Sequence, residues 1–281
     1  MEFFSLWIGK SLSLYELLSL KSFYQNGKIL YLYCNPELQL PNFVKRKSIS
    51  EVIDPSEIFL ANNSYASFSN YFRYLALSKI ESGNTWVDLD ILYLKDFESN
   101  SGYVFGYETK KTINNAVLSA PANSDLIREL VNQTLRNNIE TYWGTTGPHL
   151  LTKLVGALGL EQFSEPIPSF YPVGPWGIDS LFLPTKKNDL YSIVQNSKTV
   201  HMYNELIIRA AIPKNVLPPR ESFLGDYFAA YGFNYKTIPS LDNDWIRGWS
   251  RNYTERKIAT KLAQIFGPGK NQIKKLIYKK A

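Results

Sequence analysis

Cysteine and histidine are scarce in this chain of 281 residues, which has one cysteine, Cys34, and two histidines. A single cysteine excludes an intramolecular disulfide, and three Cys and His residues together cannot supply the four ligands of a structural zinc site. The chain also lacks the run of about 18 to 20 apolar residues that a membrane span needs. Its start has no basic segment ahead of an apolar stretch, so we expect no signal peptide and a cytoplasmic protein.

Positive charge is concentrated towards the end of the chain. The net charge is +6, and a composition of 44% hydrophobic and 20% charged residues is that of a folded protein. From residue 247 onward there are ten Lys and Arg residues against one acid, Glu255, whereas the preceding part carries 21 basic and 24 acidic residues. This division predicts a folded domain over residues 1–246 and a basic tail over residues 247–281.

The chain opens with the pattern of a strand, a helix and a second strand. Two apolar, β-rich runs, FFSLWIG at 3–9 and KILYLYC at 28–34, flank a segment whose apolar residues recur at helical spacing. Such a β-α-β unit predicts parallel strands and an α/β fold. The pattern also predicts helices over 64–82 and 124–139, a strand over 85–94, and an irregular stretch near 36–63.

Two carboxylates interrupt the apolar strand predicted over 85–94. Asp88 and Asp90 in WVDLD are two residues apart, so on a strand their side chains would share one face. Crowded carboxylates repel each other unless a cation lies between them, and hard oxygen ligands suit Mg²⁺ or Mn²⁺. The pattern therefore indicates a divalent-cation site, with two exposed acids at the end of a strand as the alternative.

The segment ahead of these acids strengthens the metal interpretation. SNYFRYLALSKIESGNTWVDLD resembles the S-D-x-x-R segment, followed by W-x-D-x-D, of the DXD-motif glycosyltransferases. That family includes bacterial capsular-polysaccharide transferases, α-1,4-galactosyl and α-1,6-mannosyl transferases, and glucosylating toxins. Further stretches are similar to the family in the same order along the chain, over roughly residues 3 to 210: NNAVLSAP, WGTTGPHLLTKLV and VHMYNE.

The resemblance implies a GT-A fold, which is a Rossmann-like α/β arrangement with a mixed, mostly parallel sheet. It places Asp90 and His201 on a Mn²⁺ or Mg²⁺ ion, and Asp88 at the ion through water or at the ribose and sugar. Neutral imidazole and carboxylate together suit Mn²⁺, which supports this set independently. For His201, a buried imidazole bonded to a backbone carbonyl is the alternative.

The same resemblance implies that Asn70 and Arg73 grip the hydroxyl groups of the donor sugar. They lie three residues apart on the predicted helix and therefore share a face. The family has Asp where this chain has Asn70, and an amide donates as well as accepts hydrogen bonds, so the sugar preference is expected to differ. Asn84 likewise replaces the second glycine of the family's Gly-Gly pair. For Arg73, a surface salt bridge is the alternative.

Six further residues are placed near the donor by the resemblance: Trp7, Asn114, Asn115, Thr146, Gly147 and Pro148. One of the two asparagines would bond the sugar, and the Thr-Gly-Pro turn would approach the sugar-phosphate or the acceptor at the start of a helix. For the residues of this turn, an ordinary helix-capping turn is an equal alternative. Trp7 would stack on the base, with core packing as an equal alternative.

The sequence thus predicts a metal-dependent, retaining hexosyl- or N-acetylhexosaminyltransferase. It would use a nucleotide-sugar donor, with a UDP-sugar favoured, and a glycan or lipid-linked saccharide acceptor in surface polysaccharide synthesis. No second acidic pair offers a carboxylate nucleophile. The resemblance implies a same-face displacement in which the leaving phosphate takes the acceptor proton. The alternative is a non-catalytic nucleotide-sugar or carbohydrate-binding protein of the same fold.

Other classes fit less well. Two histidines are few for a two-metal nuclease, and the basic tail lacks the interleaved aromatic residues typical of a nucleic-acid binder, so no nucleic-acid partner is expected. The tail instead carries apolar residues at helical spacing among its lysines, broken at Gly267-Pro268-Gly269. This pattern favours peripheral contact with an anionic membrane surface at the inner face of the plasma membrane. A solvated helix packed on the domain is the alternative.

Overall fold

The computed structural model describes residues 2–61, 64–81, 83–136 and 144–266, without the side chains of 135–136 and 255–266. This part of the chain contains nine strands: β1 (Phe3–Trp7), β2 (Leu30–Cys34), β3 (Lys45–Ser48), β4 (Thr85–Val87), β5 (Ile91–Tyr93), β6 (Val104–Thr109), β7 (Thr112–Ser119), β8 (Ser164–Glu165) and β9 (Thr199–His201). It also contains nine α-helices: α1 (Leu14–Gln25), α2 (Ala66–Lys79), α3 (Asp125–Arg136), α4 (Leu150–Ala157), α5 (Ile167–Phe170), α6 (Lys187–Val194), α7 (Asn204–Arg209), α8 (Phe223–Ala230) and α9 (Asn243–Phe266).

Seven of the strands form one mixed sheet in the order β3-β2-β1-β4-β7-β6-β8. Strands β3, β2, β1 and β4 are parallel to one another, β7 runs antiparallel to both β4 and β6, and β8 is parallel to β6. Strands β5 and β9 form a separate antiparallel pair. The α/β class with a mixed, mostly parallel sheet is therefore confirmed, and the carboxyl ends of β1, β2 and β4 meet at one edge.

Alternation along the strands divides the apolar residues between two cores, one on each face of the sheet. Phe4 and Trp86 face a core shared with Phe72 of α2, whereas Phe3 faces a second core shared with Phe23 of α1. The rings pack closely, with the Phe3 and Phe23 centroids 5.0 Å apart. Much of the aromatic content noted in the sequence is therefore buried structure.

Two local predictions are wrong. Strand β3 lies within the stretch predicted to be irregular; its sequence, Lys-Arg-Lys-Ser, shows no apolar pattern because it is an edge strand that pairs through backbone groups. The single strand predicted over 85–94 is two short strands, β4 and β5, separated by a turn at Asp88–Asp90. Helix α2 is confirmed, with bounds slightly inside the predicted range.

The chain divides into two compact units, each described here by itself. Unit 1 comprises Met1–Gly174 and Ser192–Tyr203 and contains both sheets, and unit 2 comprises Pro175–Tyr191 and Asn204–Ala281. Within unit 2, helix α9 is held by the Tyr253 hydroxyl, which donates to the Pro175 carbonyl at 3.0 Å, and by the Trp249 indole N–H, which donates to the Ala210 carbonyl at 2.9 Å.

Helix α9 crosses residue 247, where the sequence places the start of the basic tail. The apolar and basic pattern predicted for that tail involves side chains beyond Thr254, which lie outside the described residues. Among the helices of the described residues, none has both the length and the apolar character required to cross a membrane.

Candidate functional site

Strands β4 and β7 bring most of the predicted site residues to the carboxyl edge of the parallel strands. Asp88 directly follows β4, and its backbone N–H donates to the Ala116 carbonyl of β7 at 2.8 Å. This bond places Asp88 beside Asn114 and Asn115, which precede Ala116 on β7. Both asparagine side chains are buried, so they belong to the interior of the site.

Asp88 forms an ion pair with Arg73 of α2. One guanidinium nitrogen, Nη2, lies 2.6 Å from Oδ1 of Asp88, and Nη1 donates to the Asn115 carbonyl at 2.9 Å. The same carboxylate oxygen accepts a hydrogen bond from the Trp86 indole at 2.9 Å, and the guanidinium lies over that ring. Because the Arg73 side chain is only 3% exposed, the surface salt bridge considered from the sequence is wrong.

The charges around Asp88 oppose one another. Burial raises the pKa of Asp88, the guanidinium of Arg73 lowers it, and the nearby Asp90 carboxylate raises it again, so that the net direction is upward. The side chain of Asp88 is still 30% exposed, which leaves the carboxylate accessible from outside. Arg73 therefore fixes the position of Asp88, whose carboxylate a ligand can reach.

Asp90 pairs with His201 rather than with Asp88. Residue Ile91 of β5 lies opposite His201 of β9, and the Met202 N–H donates to the Asp90 carbonyl at 2.8 Å. This ladder sets Nε2 of His201 3.2 Å from Oδ2 of Asp90, with side chains 9% and 14% exposed. Burial lowers the pKa of His201, but the Asp90 carboxylate outweighs burial through its charge and hydrogen bond, so the pKa is raised.

This pair fits a divalent cation by distance. Two ligands in neighbouring octahedral positions, each about 2.1 Å from an ion, are about 3.0 Å apart, and the observed separation of the two donor atoms is 3.2 Å. Carboxylate oxygen and imidazole nitrogen also suit Mn²⁺. Within the described residues no group of three or more His, Cys, Asp or Glu side chains could hold a metal ion.

The turn at Asp88–Asp90 corrects the geometry expected for these acids. They do not alternate along one strand; Asp88 is bonded to Arg73 and Trp86, whereas Asp90 is bonded to His201. The turn is closed by the Ile91 N–H, which donates to the Asp88 carbonyl at 3.1 Å. Each carboxylate therefore has its own partner, the guanidinium of Arg73 for Asp88 and the imidazole of His201 for Asp90.

Asn70 lies in a network of polar groups that joins α2, β7 and the turn before α4. Its Oδ1 accepts from Nδ2 of Asn115 at 3.0 Å, and its Nδ2 donates to Oγ1 of Thr146 at 3.3 Å. The buried hydroxyl of Tyr74 completes the network, accepting from Asn115 at 2.9 Å and donating to the Thr146 carbonyl at 3.0 Å. Gly147 allows the close approach, since a Cβ there would lie 2.9 Å from Nδ2 of Asn70.

Two predicted residues have other local contacts. The Trp7 indole donates to the Ser11 carbonyl at 3.1 Å, and the half-buried ring packs against the core that contains Phe3. Its proposed stacking on a base stays a prediction. The Pro148 carbonyl accepts from the Thr152 hydroxyl at 2.7 Å within the start of α4, so Pro148 helps to build the turn.

Sequence reasoning missed three residues of the site. Glu108 of β6 accepts a hydrogen bond from Nδ2 of Asn114 at 2.7 Å. The buried hydroxyl of Tyr171 accepts from the Val117 N–H at 3.1 Å, and burial raises its pKa strongly. Tyr203 stacks on the ring of His201. The sequence did not single them out: Glu108 reaches the site through the pairing of β6 with β7, Tyr171 follows α5, and Tyr203, although within the VHMYNE stretch, acts through its ring contact with His201.

Comparison with known proteins adds little at the level of sequence: no family model and no curated protein matches this chain. Among solved structures, the chain is similar to the galactosyltransferase LgtC in complex with donor and acceptor sugar analogs. The identity is 12% and the TM-score 0.44, over 89% of this chain and 100% of the other. A likeness of this size says nothing about the substrate or reaction of the present chain.

Proposed function

We propose that this protein is a metal-dependent, retaining glycosyltransferase that uses a nucleotide-sugar donor, with a UDP-sugar favoured. One observation carries the proposal: at the carboxyl edge of the parallel strands, the Asp90–His201 pair has the spacing of two cation ligands. Beside it stands Asp88, accessible and held by a buried arginine. The motif resemblance described in the sequence assigns the metal and the donor to these same residues, Asp88, Asp90 and His201.

Different residues would bind different parts of the donor: one set the diphosphate, through the cation, and Asp88 the ribose or the sugar. Asp90 and His201 would hold Mn²⁺ or Mg²⁺, which when bound neutralises negative charge on the diphosphate leaving group. Asp88 would accept hydrogen bonds from the ribose or the sugar, because its carboxylate is partly exposed and fixed by Arg73 and Trp86. A hydroxyl donor bonded to a fixed carboxylate is strongly oriented.

The neutral amides would bind the sugar itself. Asn70 and Asn115 are bonded to each other, and the neighbouring Asn114 is bonded to Glu108; these amides offer both donors and acceptors, which matches the mixed hydrogen bonding of sugar hydroxyls. Each is already held by protein partners, so the cluster is preorganised. Such preorganisation lowers the entropic cost of binding a polar ligand.

The transfer step follows from the charge that develops. The bond between the anomeric carbon and the diphosphate oxygen breaks, a bond from that carbon to the acceptor oxygen forms, and the acceptor proton passes to a phosphate oxygen. Asp88 would stabilise the positive charge that develops on the sugar. Because the incoming hydroxyl attacks from the face that the phosphate leaves, the anomeric configuration is retained.

Incubation with a panel of UDP- and GDP-sugars and Mn²⁺, read out as released nucleotide, tests this function. We expect release from at least one UDP-sugar, and ¹H NMR should show that the first sugar product keeps the anomeric configuration of the donor. Inversion would contradict the same-face step. Tight binding without any turnover, with water or with saccharide acceptors, would favour a non-catalytic binding protein instead.

We further propose that the acceptor is a glycan or lipid-linked saccharide of a surface polysaccharide, reached at an anionic membrane surface. The support is the excess of basic over acidic residues from residue 247 onward. Sedimentation with anionic and neutral liposomes tests this partner. Salt-sensitive binding to anionic vesicles that is lost on removal of residues 270–281 is expected, and equal binding to both vesicle types would contradict it.

A further inference from the structure

The backbone at Tyr203 adopts a conformation that bulky residues avoid. Its φ is +55°, in the left-handed region, and among the non-glycine residues of the described chain only Ala211, with φ +57°, shares a positive value. A large side chain is rare there, and such positions persist only where the surroundings impose them. Contacts in the folded structure therefore impose on Tyr203 a positive φ that a tyrosine would otherwise avoid.

The ring of Tyr203 lies on the ring of His201. The two centroids are 3.9 Å apart, the planes are inclined by 29°, and Tyr203 is 6% exposed. The left-handed residue lies between the end of β9 and the start of α7, and its phenol lies over the imidazole two residues earlier. The strained backbone and the stacked rings are therefore parts of one arrangement.

His201 lacks the support that usually orients a metal-binding imidazole. Such a ring normally donates a hydrogen bond from its second nitrogen to a carboxylate or carbonyl group. Here Nδ1 of His201 is buried and has no hydrogen-bond partner among the residues that the structure describes. Because Nε2 faces Asp90, the tilt of the ring is restrained by ring contacts: Tyr203 stacks on it at 3.9 Å, and Tyr171 lies further away, at 5.8 Å between centroids and inclined by 60°.

Glu108 lies at the far end of the Tyr203 side chain. Burial raises the pKa of Tyr203, and the neighbouring Glu108 carboxylate raises it further. Glu108 is itself fixed by Asn114, whose Nδ2 donates to Oε1 at 2.7 Å. The phenol is therefore in contact with His201 through its ring, whereas its hydroxyl has no hydrogen-bond partner among the described residues.

We propose that Tyr203 is a positioning residue that holds the imidazole of His201 in the orientation for binding a divalent cation. This inference rests on the proposed function, because it assigns a role within the proposed metal centre. It explains why a tyrosine occupies a position that glycine or asparagine would adopt at lower cost. The stacked ring replaces the hydrogen bond that Nδ1 lacks.

The test is Mn²⁺ affinity, measured by titration and electron paramagnetic resonance of the free ion, together with the melting temperature. Tyr203→Gly and Tyr203→Asn both suit a positive φ but remove the ring, so the fold should be retained while Mn²⁺ binds about tenfold more weakly. Tyr203→Phe keeps the ring and should show a smaller loss. Ala211→Gly, which relieves the same backbone conformation elsewhere, is the matched control and should bind Mn²⁺ as the wild type does.

Three outcomes separate the possibilities. Weaker Mn²⁺ binding in the Gly and Asn variants while they remain folded, with Tyr203→Phe closer to the wild type, supports the role of the ring; some loss of melting temperature is expected because a buried ring is removed. Wild-type affinity in either folded variant overturns it while the metal centre stands. Failure of the wild-type protein to bind Mn²⁺ at millimolar concentration overturns the metal centre itself and this inference with it.

Discussion

The guanidinium of Arg73 lies 2.6 Å from the carboxylate of Asp88, and the two groups differ in exposure: Arg73 is buried, whereas Asp88 is 30% exposed. The arginine thus reaches from α2 beneath the sheet edge to present an acid at the surface of the site. Its second nitrogen is bound to the Asn115 carbonyl, so the same side chain also links α2 to β7. Arg73 is therefore expected to contribute both to the stability of the fold and to ligand binding.

Replacement of Arg73 by alanine should destabilise the fold by about 3 kcal/mol, because it leaves a half-buried carboxylate without its charged partner. Chemical denaturation measures this difference. Adding Asp88→Asn to that variant should recover part of the loss, since the orphaned charge is then removed. Arg128→Ala, which removes an exposed arginine paired with Asp125, is the control and should cost less than about 0.5 kcal/mol. Equal losses in the two single variants would contradict a buried role.

Asn70→Asp should change donor preference without loss of stability. A carboxylate at this position still accepts the bond from Asn115, and the Thr146 hydroxyl reverses its role and donates. The change removes a donor and adds a negative charge at a partly exposed position, so the relative rates with different UDP-sugars should shift while the melting temperature stays within a few degrees. Unaltered relative rates would show that Asn70 does not contact the sugar.

The segment that carries His201 is tied to the rest of unit 1 by an ion pair between Lys198 and Glu165, 2.7 Å apart. Burial raises the pKa of Glu165, but hydrogen bonds from Lys198 and Ser169 outweigh it and lower the pKa below the ordinary value of 4.5. A lowered pKa stabilises the fold above that value, and the contribution is lost as the pH falls through the folded pKa.

Glu165→Gln should therefore lower stability by about 0.5 to 1 kcal/mol at pH 7, as expected for a partly exposed pair. The difference from the wild type should shrink as the pH is lowered towards 3. Melting temperatures across this range measure it, with Glu205→Gln, which alters an exposed pair with Arg209, as the control. A difference that grows on acidification would mean that the pKa of Glu165 is raised instead.

The sequence predicts the parts of the site whose signals are local. Helix α2 and the acids after β4 follow from apolar spacing and from charges placed beside an apolar run. Local signals do not predict that Asp88 and Asp90 have separate partners, because those partners depend on a three-residue turn and on the pairing of β5 with β9. Residues about 110 apart in sequence meet there, and no short pattern encodes such a contact.

Glu108 and Tyr203 show two other reasons why the sequence alone does not predict the whole site. The pairing of β6 with β7 shifts in register between Val104 and Gly106 and again between Tyr107 and Thr109, so simple alternation cannot say which way Glu108 points. Tyr203 occupies a left-handed conformation for which sequence patterns favour glycine or asparagine. Both residues reach the site through structure that overrides local preference.

The central claim is that Asp90 and His201 bind the cation that catalysis requires, and nucleotide release from a UDP-sugar with and without metal tests it most directly. The account predicts that EDTA abolishes release, that Mn²⁺ restores it, and that Asp90→Asn, while folded, lowers it by about 100-fold or more. Asp96→Asn is the matched control: this exposed acid pairs with Lys28 at 2.8 Å, and its loss should leave release unchanged. Release that persists in EDTA, or in folded Asp90→Asn at the wild-type rate, would contradict the claim.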